Sequence, residues 1–290
     1  VMKDGKRTTA YDLFDLDKIK VVKFDFLGLA TLEQIRDLRE MFNRGFDDSF
    51  TEDKEVLKAF GQGKTDGIFQ YVHQMAKDIL VNIDADCFDD VCAASAMNRP
   101  TPLSLGIPQM YADNKANRDL IDDKLPWADI ISDTYGTIIY QEQIQSIAID
   151  IGGMEGSEAD KILKMNAAGN KASKTKYEES YEDYWKKFRK GAKKHGVDKE
   201  TAKEMFDKFF AYSFNKGHSV GYCLISFEQM WYKVHHPIEY WATMLRYEYD
   251  DLKRKAYEVC AAQEGIVIIP AHINGPAKYE AVEWGGGKCI

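Results

Sequence analysis

A lone carboxylate, Asp25, stands in the middle of the apolar run Lys20-Val-Val-Lys-Phe-Asp-Phe-Leu-Gly-Leu29. Val21, Val22, Phe24, Phe26 and Leu27 are β-branched, aromatic or aliphatic, and Gly28 breaks the run, so the pattern predicts a short buried strand. An ionised Asp inside such a strand costs free energy unless something pairs with it. A divalent cation would compensate, because phosphoryl-transfer enzymes hold Mg2+ with carboxylates that face phosphates. Lys23 lies two residues earlier and shares a strand face with Asp25, a placement that suits a phosphate beside that metal. The competing reading is an edge strand whose Lys and Asp face water.

A second cluster, Phe214-Asn-Lys-Gly-His-Ser219, precedes an apolar helix. A helix N-terminus turns backbone N–H groups and the positive end of the helix dipole toward an anion. Asn215, Lys216, His218 and Ser219 could thus cradle a nucleotide phosphate or sugar. The same residues also make an ordinary capping turn, with Asn215 or Ser219 satisfying the first helical donors. The two roles are compatible. No carboxylate or Cys lies at ligand spacing from His218, which argues against catalysis or a zinc site there.

The elements that must position these residues are mostly helices. After the Lys20–Leu27 strand, apolar periodicity predicts helices over about 30–43, 53–60, 72–81, 87–97, 144–151, 155–165, 174–195, 199–210, 219–235, 239–249 and 252–264. Pro100, Pro102, Gly152-Gly153 and Pro237 punctuate them. Only residues 266–269 and 281–284 read as further strands. Tyr177, Tyr181, Tyr184, Trp185 and Phe188 fall at helical spacing, which favours helix packing over a platform for bases. His235-His236-Pro237 reads as a helix stop and not as a metal pair. Arg99, before Pro100, suits a structural salt bridge or a reach toward DNA.

Composition narrows the class. At 290 residues and 44% apolar content the chain can bury one large or two modest cores. No run approaches a membrane span and no secretory signal is visible, so a cytoplasmic protein without membrane attachment is expected. Cys87, Cys92, Cys223, Cys260 and Cys289 form no C-x-x-C pair, which suggests reduced thiols and neither a zinc site nor a disulfide framework. The net charge is −8, yet residues 161–208 carry 14 Lys or Arg against 8 Asp or Glu. That segment is therefore +6 and the remainder −14. A concentrated positive field suits phosphates, although a long solvated helix explains much of the same segment.

Several motifs, in order, resemble those of the family C DNA polymerases, the bacterial replicase alpha subunits. Val22-Lys-Phe-Asp-Phe-Leu-Gly-Leu29 resembles the family's last catalytic segment, Thr65-Asp-Gly-Ile-Phe-Gln70 its T-x-G-[VI]-F-Q motif, and Asn98-Arg-Pro-Thr-Pro-Leu103 its R-P-G-P-L turn. Thr134-Tyr-Gly-Thr-Ile-Ile-Tyr-Gln-Glu-Gln143, Phe214-Asn-Lys-Gly-His-Ser-Val-Gly-Tyr222 and Ile268-Ile-Pro-Ala-His-Ile-Asn274 match further segments. The resemblance runs from about Tyr11 to the end. The family's other two metal-binding aspartates lie on a Pro-Asp-Phe-Asp-x-Asp-Phe segment that this sequence does not contain. The expectation is an internal piece, inactive alone, comprising the end of the palm and the fingers.

The resemblance implies an α+β, predominantly α-helical fold: the C-terminal part of the palm over 1–50, helical fingers over 51–265 and a short β region over 266–290. It makes Asp25 the third Mg2+ ligand of a two-metal site and Lys23 a contact to the incoming triphosphate. Lys164 and Lys171 correspond to a region where the family carries adjacent arginines followed by a Gly-Lys-Lys. Here Leu163 and Lys164 occupy the arginine pair and two extra residues precede Gly169, so one charge and the bidentate geometry of Arg are lost. Lys164 and Lys171 are phosphate ligands or ordinary solvated lysines; the pattern leaves both open. This departure suggests a phage-like version. Glu142 and its flanking glutamines are expected to organise the fingers. The implied partners are primer–template DNA, dNTP, the remaining polymerase segments and, through a region not in this sequence, a sliding clamp, in a replisome-associated setting. The rival reading is a non-catalytic fingers module that binds DNA or a partner. A metal-dependent nuclease or phosphatase ranks last for want of clustered ligands.

Overall fold

The computed structural model describes the chain apart from residues 23, 25–27, 46, 168–172, 271–274, 277 and 286, and apart from the side chains of 3, 13, 14, 17, 166, 167, 173–179 and 284. Among the described residues the fold is α+β and predominantly helical. A two-residue hairpin, β1 (Met2–Lys3) and β2 (Lys6–Arg7), precedes α1 (Leu13–Lys18) and α2 (Ala30–Phe42). There follow α3 (Lys54–Gly61), α4 (Gln74–Asn82), α5 (Phe88–Met97), α6 (Pro100–Ser104) and α7 (Ile107–Ala116). Next come α8 (Gln141–Ser146), which runs on as π-helix through Ile147–Ile151, α9 (Gly156–Ala167), α10 (Ser173–Lys194) and α11 (Lys199–Lys208). The chain closes with α12 (Lys216–His235), α13 (Pro237–Tyr247), α14 (Asp251–Gln263) and the antiparallel pair β3 (Val282–Trp284) and β4 (Gly287–Cys289).

Local chemistry sets many of these boundaries. The carboxylate of Asp53 accepts from Glu55 N at 2.9 Å and Val56 N at 3.1 Å, starting α3. Asp198 and Asp250 cap α11 and α14 in the same way. Helix α12 ends at His235 and α13 begins at Pro237, so His235-His236-Pro237 is a stop. Helices α6 and α7 were not expected from the pattern. Pro100 and Pro108 occupy their first turns, where a missing N–H costs nothing, so these prolines begin helices and do not merely interrupt them.

The apolar residues gather into two cores. The first takes Val56, Phe60, Leu80, Val91, Met97, Phe227, Met230, Tyr240 and Trp241, and so joins α3, α4, α5, α12 and α13; Leu38 of α2 belongs to it. The second takes Ile144, Ile147, Ile162, Phe188, Met205, Phe206 and Phe209, from α8 through α11. The chain leaves the first core after α7, builds the second, and returns along α12. A parallel bridge between Tyr140 and Phe214 joins the outgoing and returning segments, with Gln141 N donating to Phe214 O and Phe214 N to Ile139 O, each at 2.8 Å.

Two strand expectations change. Val21, Val22 and Phe24 are exposed, not buried, and Lys20 has a left-handed backbone, φ 58°. No strand among the described residues runs beside this stretch, so its apolar side chains have nothing to bury against. Residues 266–269 form no regular strand. Ile269 N donates to Ile290 O and Ile290 N to Val267 O, two bonds that tether the chain end without a ladder. No described helix is long and apolar enough to cross a membrane.

Candidate nucleotide-binding site

Among the predicted site residues, Asp25, Lys23 and Lys171 lie outside the described residues, and Lys164, Asn215, Lys216, His218 and Ser219 lie within them. The bridge at Tyr140 and Phe214 brings the first turn of α8 against the first turn of α12. Asn215 is the N-cap of α12: its Oδ1 accepts from His218 N at 2.7 Å. The anion at this helix N-terminus is the protein's own. Glu142 accepts from Lys216 N at 2.9 and 3.1 Å and from Asn215 Nδ2 at 3.1 Å. Lys216 Nζ lies 3.4 Å from Asp133 Oδ2 and 5.5 Å from the centre of the Tyr140 ring.

Gln143 fixes the turn that presents Glu142. It is buried, its Oε1 accepts from Ile139 N and Tyr140 N at 2.9 Å each, and its Nε2 donates to Thr134 Oγ1 at 2.6 Å. Gln145, one turn further along α8, donates to Asp160 of α9 at 2.8 Å. Lys164 follows Asp160 by one helical turn and is exposed. Helix α8 thus carries contacts to both candidate phosphate-binding segments.

Ser219 is placed differently from its neighbours. It is 1% exposed, and its hydroxyl donates to Cys92 O at 2.8 Å and meets Ser95 Oγ at 2.9 Å. Its side chain fastens α12 to α5 and does not face the turn, because position four of a helix whose third residue is exposed rotates into the core. His218 is exposed, with its ring 4.3 Å from that of Tyr222 and 5.6 Å from that of Phe214. Phe69 stacks on Tyr222 at 5.3 Å, and the Arg99 guanidinium sits 5.2 Å over Phe214. Arg99 has a ring for a partner and no carboxylate among the described residues, contrary to the expected salt bridge. Together Arg99, Phe214, His218, Tyr222 and Phe69 make a row of rings beneath one cation, along the accessible edge of α12. Sequence reasoning found its members in separate motifs but not the row, which is a product of α5, α12 and the 65–70 turn meeting.

That turn is bolted to α12. Phe69 N donates to Gln229 Oε1 and Ser226 Oγ donates to Phe69 O, both at 2.8 Å, while Lys233 Nζ donates to Lys64 O and Asp66 O. Gly67 has φ 77°, and a Cβ there would press on the rings of Tyr240 and Trp241, so glycine is needed on both counts.

The described residues offer one group with metal-ligand spacing, Asp86, Cys87 and Asp90. Lys115 Nζ already sits 2.8 Å from Asp86 and 2.6 Å from Asp90, so the cation of this cluster is an ammonium group. Burial pushes the Asp90 carboxyl up, but hydrogen bonds from Lys115, Asp86 N and Tyr111 outweigh it and hold the group below its ordinary value. This cluster is structural, and the five cysteines are free thiols.

The model of the bacterial DNA polymerase III alpha subunit finger domain matches residues 31–196. The chain is 34% identical over 282 residues to DNA polymerase III subunit alpha of Aquifex aeolicus (strain VF5), covering 94% of this chain and 24% of that protein. It is 32% identical over 292 residues to the same subunit of Escherichia coli (strain K12), covering 93% and 25%. The Buchnera aphidicola subsp. Acyrthosiphon pisum subunit is 32% identical over 298 residues. The chain spans about a quarter of the length of these curated relatives.

Proposed function

The chain belongs to the bacterial DNA polymerase III alpha subunit finger-domain family, and from that premise we propose that it supplies the nucleotide-handling surface of a replicative DNA polymerase. The reaction is addition of dNMP to a primer 3′-hydroxyl. The observation that carries the reading is the accessible edge of α12, where Lys216 and His218 stand at a helix N-terminus beside the Phe214, Tyr222 and Phe69 rings. Cations there serve the triphosphate and ring faces serve the base or sugar.

Because Glu142 occupies the Lys216 N–H, the triphosphate is held by side-chain ends, Lys216 Nζ, His218 and Lys164, with Lys171 and Lys23 as further contacts. Asn215 positions the turn, and Ser219 anchors it to α5. Asp25 would be one carboxylate of a Mg2+ site, where the ion neutralises charge on the transferring phosphoryl group. The exposure of Val21, Val22 and Phe24 supports completion of that segment by palm strands from another part of the enzyme. Electrostatic positioning, and not a proton-transferring side chain, then accounts for most of the rate. A second reading, a non-catalytic DNA- or partner-binding module, draws on one observation: Glu142 already satisfies donors that a triphosphate would otherwise use.

The test mixes the chain with a separately expressed palm fragment carrying the Pro-Asp-Phe-Asp-x-Asp-Phe segment and follows primer extension in Mg2+. Extension that vanishes with Asp25→Ala and weakens at low dNTP with Lys216→Gln supports the polymerase reading. Association of the two pieces without extension supports the binding module.

A further inference from the structure

The sequence from Trp185 to Val197 contains six Lys or Arg and no Asp or Glu. All of it from Trp185 to Lys194 lies on α10. At 3.6 residues per turn, Lys186, Arg189, Lys190, Lys193 and Lys194 fall within about 140° of arc and about 12 Å of axis. The opposite side of the helix carries Trp185, Phe188 and Ala192, which are buried in the second core. The cationic side is the solvent side: all five residues are exposed.

Their charge is hardly used by the fold. Lys187 pairs with Glu158 at 2.5 Å, and Lys186 reaches Asp183 at 3.4 Å in an exposed pair. Arg189, Lys190, Lys193 and Lys194 have no carboxylate partner among the described residues. Exposed lysines elsewhere differ in setting. Lys54 and Lys58 lie among Glu52, Asp53 and Glu55, and Lys253 and Lys255 lie among Asp250, Asp251 and Glu258. Over the roughly two turns from Lys186 to Lys194 the face on α10 keeps its sign, in a chain whose net charge is −8.

The composition of this face chooses its partner. Among the described residues this face holds no exposed large apolar side chain; Trp185, Phe188 and Ala192 of the same helix are buried. A membrane-seeking helix needs its apolar side free, and here that side is spent on α11 and the π-helical turn. A protein interface needs an apolar centre inside the polar rim. A row of cations with nothing between them suits a regular row of phosphates.

We propose that the Arg189–Lys194 face of α10 binds the phosphodiester backbone of duplex DNA, independently of sequence. The site is separate from the α12 edge and rests on the polymerase reading only in the choice of DNA as the polyanion. It grips through charge neutralisation, so it releases counterions and weakens steeply with salt.

The experiment uses the full chain and a fluorescein-labelled random-sequence DNA duplex, without Mg2+ or dNTP, with anisotropy followed from 50 to 200 mM salt. The variant combines Arg189→Gln, Lys190→Gln, Lys193→Gln and Lys194→Gln. The charge-matched control combines Lys54→Gln, Lys58→Gln, Lys253→Gln and Lys255→Gln. Each cation lost from a B-DNA contact lowers the salt slope by about 0.9. The expected result is a loss of tenfold or more in affinity and a slope smaller by about 2–4 for the α10 variant, with the control near wild type and circular dichroism melts unchanged. Equal losses in both variants would assign the effect to net charge and overturn the site, as would duplex binding indifferent to the α10 changes. Because no polymerisation is needed, a failure of primer extension leaves this outcome intact and readable by itself.

Discussion

The α12 turn and the outer face of α10 are both rich in cations, and they use them oppositely. At α12, Lys216 has Asp133 for its ammonium group and Glu142 for its backbone N–H, and the surrounding first core holds further internal pairs. Arg39 meets Glu228 through two bonds of 2.6 Å, with Glu228 2% exposed, and Lys233 meets Glu264 at 3.0 Å. On α10 the cations Arg189, Lys190, Lys193 and Lys194 have no such partners among the described residues. The lesson is that a positive residue near a family motif can be part of the scaffold, while an unremarked lysine on a helix back can be the one with charge to offer. Internal pairing, not proximity to a motif, decides which.

The strongest way to sharpen this contrast is to break a pair in the first core. Lys115→Met leaves Asp90, which is fully buried, without its ammonium partner, and should cost about 3–5 kcal/mol in urea denaturation at neutral pH. The sign with pH follows from the lowered Asp90 value. Its contribution in the wild type is fully present above the unfolded carboxylate pKa of about 3.9 and is lost as pH falls through the folded value. The deficit of the variant should therefore shrink toward acid, and a constant deficit would show that Lys115 acts by packing alone.

Gly191→Ala comes next. A methyl group there would run into the carbonyl oxygens of Ile151 and Gly152, where α10 crosses the π-helical end of α8. Overpacking at such a backbone contact should cost about 1–3 kcal/mol, and a neutral result in thermal melts would mean that α10 can shift outward freely. Glu142→Ala removes the acceptor of Lys216 N and Asn215 Nδ2 and should cost about 1–2 kcal/mol, the penalty of unsatisfied donors softened by partial solvent access. If Glu142 also competes with phosphate for those donors, the same variant should bind inorganic triphosphate more tightly by calorimetry. Smallest of all, Lys190→Gln should alter stability by less than about 0.5 kcal/mol, as an exposed residue with no carboxylate partner among the described residues.

Much of the helical framework was legible in the residues. The Asp53, Asp198 and Asn215 caps and the His236-Pro237 stop mark helix ends through side-chain chemistry acting over two to four positions. Helices α6 and α7 escaped because Pro100 and Pro108 carry the same signature whether they end a helix or begin one. The 20–27 segment misled in another way: its residue types describe a strand that needs neighbours, and among the described residues none buries Val21, Val22 or Phe24. For the site, the turn offered Asn215 or Ser219 as the cap, and only the structure chose Asn215; the placements of Ser219 and Arg99 were not legible, since a helix phase of one residue and a ring on another element determine where they point.

What the sequence by itself determined is the helical class, most helix boundaries, the family motifs and the concentration of positive charge between 161 and 208. Each depends on consecutive residues, or on a count. Only the tertiary structure decided that Glu142, 73 residues before Asn215, seats itself on the α12 N-terminus, that Lys115 and not a metal neutralises Asp90, and that the α10 cations face away from both cores. Those outcomes depend on which helix packs against which, and packing is settled by the summed burial of two apolar cores, a long-range quantity that no local window contains.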